Sequence, residues 1–142
     1  MSLVVFFVVL GAALVLAAAG LTLWLVARTR RSRARLAGEL ARDPALRGPE
    51  PAVYRGCTGG YSQVLGNGQI ALTEERLLFQ KVVGGLVVVP RRTITGVSTA
   101  KTFNRGVVGG QTHLVVHTRT GDLGFFVTDL DDWVAVLAPA PS

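Results

Sequence analysis

The chain has 142 residues, 49% of them hydrophobic and 17% charged, with a net charge of +6 and a single cysteine. One cysteine excludes an internal disulfide, and the length leaves room for one small folded domain beyond any membrane segment. The charge is uneven: residues 1–47 carry seven arginines against Glu39 and Asp43, a balance of +5, whereas residues 48–142 balance at +1. A domain so close to neutral lacks the basic footprint of nucleic-acid binding, so no nucleic-acid partner is expected.

Residues 3–27 form a stretch of 25 without a charge, and Thr22 is its only polar side chain. As a helix it reaches roughly 37 Å at about 1.5 Å per residue. That is enough to cross a hydrocarbon core of about 30 Å with some tilt. No Lys or Arg precedes it, and Arg28, Arg30, Arg31, Arg33 and Arg35 follow at once. Arginines beside a span stay on the cytoplasmic side, which predicts a single-pass inner or plasma membrane protein with its N-terminus outside and the rest inside. Trp24 falls near the inner end, where an indole suits the headgroup layer. The rival is a cleaved signal peptide with Ala17-Ala18-Ala19 as its small-residue site. Against it, a basic n-region is missing and the apolar run exceeds the usual h-region of about 7–15 residues.

The Ala-, Leu- and Arg-rich segment from Arg28 to Arg42 suits a continuing helix, with Gly38 as a weak point. Asp43-Pro44 predicts its end, because proline disfavours helix in the residue before it. Pro44, Gly48, Pro49 and Pro51 then read as an extended linker. The expected organisation is a transmembrane helix over 3–27, a basic juxtamembrane helix and Pro-rich linker over 28–50, a β-domain over 51–138 and a tail over 139–142.

From Val53 onward the pattern turns to short β-rich runs broken by glycine pairs. Val53–Leu65 is predicted as an interrupted first strand, and Asn67-Gly68 as a turn. Strands follow over Gln69–Leu72, Leu77–Val83 and Leu86–Val89, separated by a turn at Thr73–Arg76 and a hairpin loop at Gly84-Gly85. Pro90 ends the last of these or puts it at a sheet edge. Ile94–Phe103, Thr112–Thr118 and Leu123–Val127 complete seven runs, the count of a small barrel or sandwich. Thr128 and Asp131 stand in a capping relation at the start of a final helix. Leu130, Trp133, Val134 and Leu137 form its apolar stripe, and Trp133 is predicted to plug an open mouth of the sheet.

Residues 68–79, Gly-Gln-Ile-Ala-Leu-Thr-Glu-Glu-Arg-Leu-Leu-Phe, match the run G-x-φ-x-L-T-x-x-R-L-φ-F, where φ is apolar. Residues 89–97, Val-Pro-Arg-Arg-Thr-Ile-Thr-Gly-Val, are similar to φ-P-φ-x-x-I-x-x-V, with Arg91 departing from the apolar third position. Together with the terminal Trp133 helix, residues 52–138 thus resemble the GRAM and bacterial pleckstrin-homology-like (PH-like) domains. The resemblance implies a seven-stranded, partly open barrel capped by a C-terminal helix; with the N-terminal span read above, the expected fold class is a membrane-anchored, mainly β, α+β chain. Such domains serve phosphoinositide binding, protein docking and self-assembly, and fold alone does not choose among them. Lipid-binding members carry a basic cluster between the first two strands, whereas Cys57–Gly68 contains no Lys or Arg.

Motifs for chemistry are sparse. His113 and His117 would lie about 13 Å apart on one strand, too far to chelate one metal, and read as solvent-facing or interface residues. No local motif suggests a Ser-His-Asp arrangement. Asp131 and Asp132 read as helix-start acids, and Gly106–Gly110 lacks the rest of a phosphate loop. Cys57 reads as a small half-buried residue. No catalytic residue, metal or cofactor is therefore expected. The candidate membrane-surface contacts are Arg28, Arg30, Arg31, Arg33 and Arg35, with Arg91, Arg92, Lys101 and Arg105 as a second basic neighbourhood. The expected function is non-enzymatic: a cytoplasmic domain for binding an unknown protein partner, or another copy of itself, at the membrane. The alternative is an anionic-lipid or phosphoinositide surface-binding module.

Overall fold

The structure, a computed structural model, describes residues 2–103 and 111–138. The chain forms two compact units, Met1–Arg31 and Ser32–Ser142.

Helix α1 covers Leu3–Arg42 and is unbroken at Gly38. Its apolar part, residues 3–27, is exposed throughout. It is the one helix among the described residues long and apolar enough to cross a membrane, with a mean hydropathy of 2.8 in its most apolar window. The polar side chain inside it costs little: the Thr22 hydroxyl donates 2.9 Å to the Ala18 carbonyl one turn back. The helix stops at Asp43-Pro44, as the proline dictates.

The second unit is a curled half-barrel of seven antiparallel strands closed at one end by a short helix. The strands are β1 (Ala45–Cys57), β2 (Gly66–Thr73), β3 (Arg76–Lys81), β4 (Leu86–Pro90), β5 (Ile94–Ala100), β6 (His113–Thr118) and β7 (Asp122–Val127). Their order is β4-β3-β2-β1-β7-β6-β5. Strand β1 is the centre, paired with β2 along its first part and with β7 from Ala52 onward. Helix α2 (Leu130–Leu137) packs on β5, β6 and β7. Seven strands and a terminal helix match the number read from the sequence.

Alternation sorts the side chains. Leu77 and Phe79 face the interior, while Leu78 faces out. The interior is built on Tyr54, Phe79 and Phe125, whose ring centroids lie 5.7, 5.4 and 5.6 Å apart pairwise. Trp133 and Leu137 of α2 complete it, and Trp133 is the largest fully buried side chain. Burying each such large apolar side chain stabilises the fold by about 1.5–3 kcal/mol.

A second, outer cluster was not foreseen. Leu36, 1% exposed, packs with Ala71 and Leu78, flanked by Leu40, Leu86 and Val88. The last turns of α1, from Ser32 on, thus belong to the β-unit and cover the outer face of β2, β3 and β4. Arg76 locks them there: its Nε donates to Asp43 at 3.0 Å and its Nη1 to Glu39 at 3.1 Å.

Several expectations change in detail. The folded β-unit does not start near residue 51; β1 starts at Ala45, inside the presumed linker, and ends at Cys57. Asn67-Gly68 is not a turn but lies within β2, where a Cβ on Gly68 would overlap the Gln80 carbonyl of β3. The Thr128/Asp131 cap is not made; Asp129 is the N-cap residue and its side chain makes no cap hydrogen bond. Cys57 is fully buried, its thiol donating to the Gly59 carbonyl.

Candidate functional site

The flanking arginines stand largely free. Arg30, Arg31, Arg33 and Arg35 are exposed, and the Arg28 guanidinium lies 5.6 Å from the centre of the Trp24 ring. Arg35 and Arg42 also border a groove of about 380 Å³ floored by Gly38, Gln80 and Leu86.

The second basic neighbourhood is not one patch. Arg91 and Arg92 form a single 3-10 turn before β5, and Lys101 follows its far end. Seven residues of strand at about 3.3 Å each separate them. Arg91 is also tied down: its amide donates 2.8 Å to the Glu75 carbonyl. Arg105 lies outside the described residues.

One mouth of the half-barrel holds Lys81, 4% exposed at the end of β3. Its Nζ donates 2.8 Å to Ser62 Oγ and 2.8 Å to the Val64 carbonyl, and sits 4.9 Å from the centre of the Tyr54 ring. The Tyr54 hydroxyl donates 2.6 Å to the Ser62 carbonyl. Both side chains therefore hold the β1–β2 loop from beneath. Burial pushes the Lys81 ammonium below its usual range and the Tyr54 hydroxyl above its own.

The outer face of β5, β6 and β7 carries the arrangement with most chemical content. The two histidines differ sharply. His113 is not solvent-facing: it is 0% exposed, 4.4 Å from the Phe126 ring by centroids, and its Nδ1 donates to the Ala100 carbonyl at 3.2 Å. His117 is half-buried, with Nδ1 2.9 Å from Asp122 Oδ1 and Nε2 2.7 Å from Ser98 Oγ. An ionised carboxylate only accepts, so Nδ1 carries the proton toward Asp122. In the neutral ring Nε2 is then a bare lone pair, and Ser98 donates to it. The order of atoms is serine, imidazole, carboxylate, in the polarity a serine nucleophile needs.

Register assembles this trio. His117 pairs with Asp122 across the β6–β7 hairpin and with Gly96 on β5, two residues before Ser98 on the same face. Thr118 fixes the hairpin by donating 2.6 Å to the Gly121 carbonyl. The three residues are separated by 19 and 5 positions, so no motif announced them. The one signal in the sequence is the four-residue gap between the Thr112–Thr118 and Leu123–Val127 runs, short enough to join them as a hairpin.

No known protein family matches the chain, and no curated protein matches it. Among solved structures it is similar to a crystal structure of the C-terminal domain of an unknown protein from Leishmania infantum. The two are 18% identical with a TM-score of 0.47, over 76% of this chain and 89% of the other.

Proposed function

We propose that the chain is a single-pass membrane protein whose cytoplasmic PH/GRAM-like domain binds a protein partner, or a second copy, at the membrane surface. The observation that carries the reading is the uncharged, fully exposed helix over residues 3–27, followed at once by arginines. A helix of that length with no buried residue needs an apolar solvent. The arginines that follow the span favour a cytoplasmic side for the β-unit. The strand order and the α2 plug support a PH-like identity, as does the Leu72-Thr73-x-x-Arg76-Leu77 run: Thr73 Oγ1 accepts from the Arg76 amide at 2.9 Å and so shapes the β2–β3 turn.

A reporter fused at the C-terminus tests the topology: activity from a cytoplasmic reporter is expected, and activity only from a periplasmic or extracellular one overturns it. Crosslinking in intact cells followed by mass spectrometry tests the partner. The second reading, anionic-lipid contact, is favoured by the four exposed arginines 30, 31, 33 and 35, each worth on the order of 1 kcal/mol near an anionic surface. In nanodiscs of phosphatidylglycerol, those arginines are expected to be protected from a guanidinium-modifying reagent relative to phosphatidylcholine. Equal modification in both overturns it.

A further inference from the structure

We propose that Ser98, His117 and Asp122 form an acyl-transfer site, with Ser98 as the nucleophile toward small carboxylic esters. This goes beyond the binding role and stands independently of it. It also departs from the expectation of a catalytically silent domain.

The geometry carries the proposal. Asp122 holds the Nδ1–H tautomer at 2.9 Å, and the free Nε2 lone pair meets Ser98 Oγ at 2.7 Å. Both distances lie within hydrogen-bond reach of a working base and its orienting acid. Access is open. Ser98 is exposed, and Gly96, opposite His117, has no side chain to shield the ring. Strand β5 is at an edge of the sheet, so alternate N–H groups along it point away from the ladder; one of these is assigned here as donor to the developing oxyanion.

The surroundings set the substrate class. Ser98, Val115 and Gly124 pair in one row across β5, β6 and β7. The Phe103 ring lies over Gly124, where a Cβ would overlap it. The neighbours of Ser98 in that row are thus apolar, which matches the short acyl group proposed.

In the reaction, Ser98 Oγ bonds to the ester carbonyl carbon while its proton passes to His117 Nε2, and the carbonyl π pair moves to oxygen. Collapse breaks the carbon–alkoxide bond, and the alcohol leaves with the proton from Nε2. Water then adds to the acyl-serine, giving its proton to Nε2. Ser98 leaves, recovers that proton, and a carboxylic acid is released. Ester plus water becomes acid plus alcohol, and Asp122 stays ionised throughout. A positioned base contributes about 10²–10⁴-fold; in so open a site the low end is expected.

The test uses the full chain in detergent or nanodiscs with a fluorophosphonate probe and p-nitrophenyl acetate. Peptide mapping is expected to find the phosphonyl adduct on Ser98, and Ser98→Ala to lose it. His117→Gln is expected to slow both labelling and ester hydrolysis roughly a hundredfold, and Asp122→Asn to slow them by a smaller factor. Circular dichroism checks that each variant is folded; should His117→Gln unfold, Asp122→Asn and Ser98→Ala decide alone. No adduct on Ser98, an adduct on another residue only, or labelling as fast in the folded His117 and Asp122 variants as in the parent overturns the proposal.

Discussion

The indole Nε1 of Trp133 donates 2.7 Å to Glu50 Oε2, joining the final helix to the proline-rich start of the central strand. Arg47 completes the junction: its guanidinium lies 5.2 Å from the Trp133 ring centre and bridges Glu50 and Asp129 at 3.3 and 3.4 Å. Removing the carboxylate leaves a largely buried N–H without a partner. Glu50→Ala is therefore expected to cost about 1–3 kcal/mol. Trp133→Ala, which also empties the core, is expected to cost about 3–5 kcal/mol. Chemical denaturation of the two variants checks the order, and a cost for Glu50→Ala equal to an ordinary surface change would remove the junction from the fold's account.

The docking of the last turns of α1 rests on Leu36 and Arg76. Leu36→Ala is expected to loosen residues 32–42, with faster amide hydrogen exchange there than in β6 and β7. Arg76→Met breaks two partly exposed ion pairs, and its effect is expected to be smaller, about 1 kcal/mol or less. Uniform acceleration of exchange across the whole sheet would mean the segment does not open separately.

Asp43 gives the same docking an acid limit. Hydrogen bonding to Thr73, and then to Arg76, holds its carboxyl below the ordinary 3.8. A depressed acid stabilises the fold above its unfolded value and loses that contribution as pH falls below 3.8 through the folded one. Protection of residues 36–42 is expected to fall in that window, and Asp43→Asn to flatten the change.

Lys81 shifts stability in the same sense at the other end of the pH scale. Burial holds it below the ordinary 10.5, so the folded chain releases this proton before the unfolded chain does. Between the depressed value and 10.5 the unfolded state binds more protons, and stability rises with pH. Melting curves taken from neutral pH toward 10 are expected to show the rise, and Lys81→Met to abolish it. A parent curve without any rise would contradict the burial of a charged lysine here.

Much of the half-barrel is legible in the chain because glycine pairs and β-branched runs report strands directly. Gly84, at a φ of +132°, makes the β3–β4 turn that Gly84-Gly85 suggested. The start of β1 is illegible for a physical reason. Residues 45–51 pair with β2 only, since the β7 partner begins at Ala52. There β1 behaves as an edge strand, where Pro49 and Pro51 are tolerated, and the same prolines imitate a linker. Asn67-Gly68 misleads in the converse way, because the glycine serves a close backbone approach and not a turn. Burial of His113 and the Ser98–His117–Asp122 contacts depend on register across three strands, which composition does not carry.

A fragment cut where the composition changes, near residue 51, would begin halfway along the central strand and would lack Leu36 and Leu40. Ala71 and Leu78 would then meet water as a bare greasy strip, beside a β2 edge stripped of its first hydrogen bonds. Such a piece is prone to stick to itself, and any clustering it displays would report the cut and not the native molecule. Beginning at Ser32 keeps the strip covered.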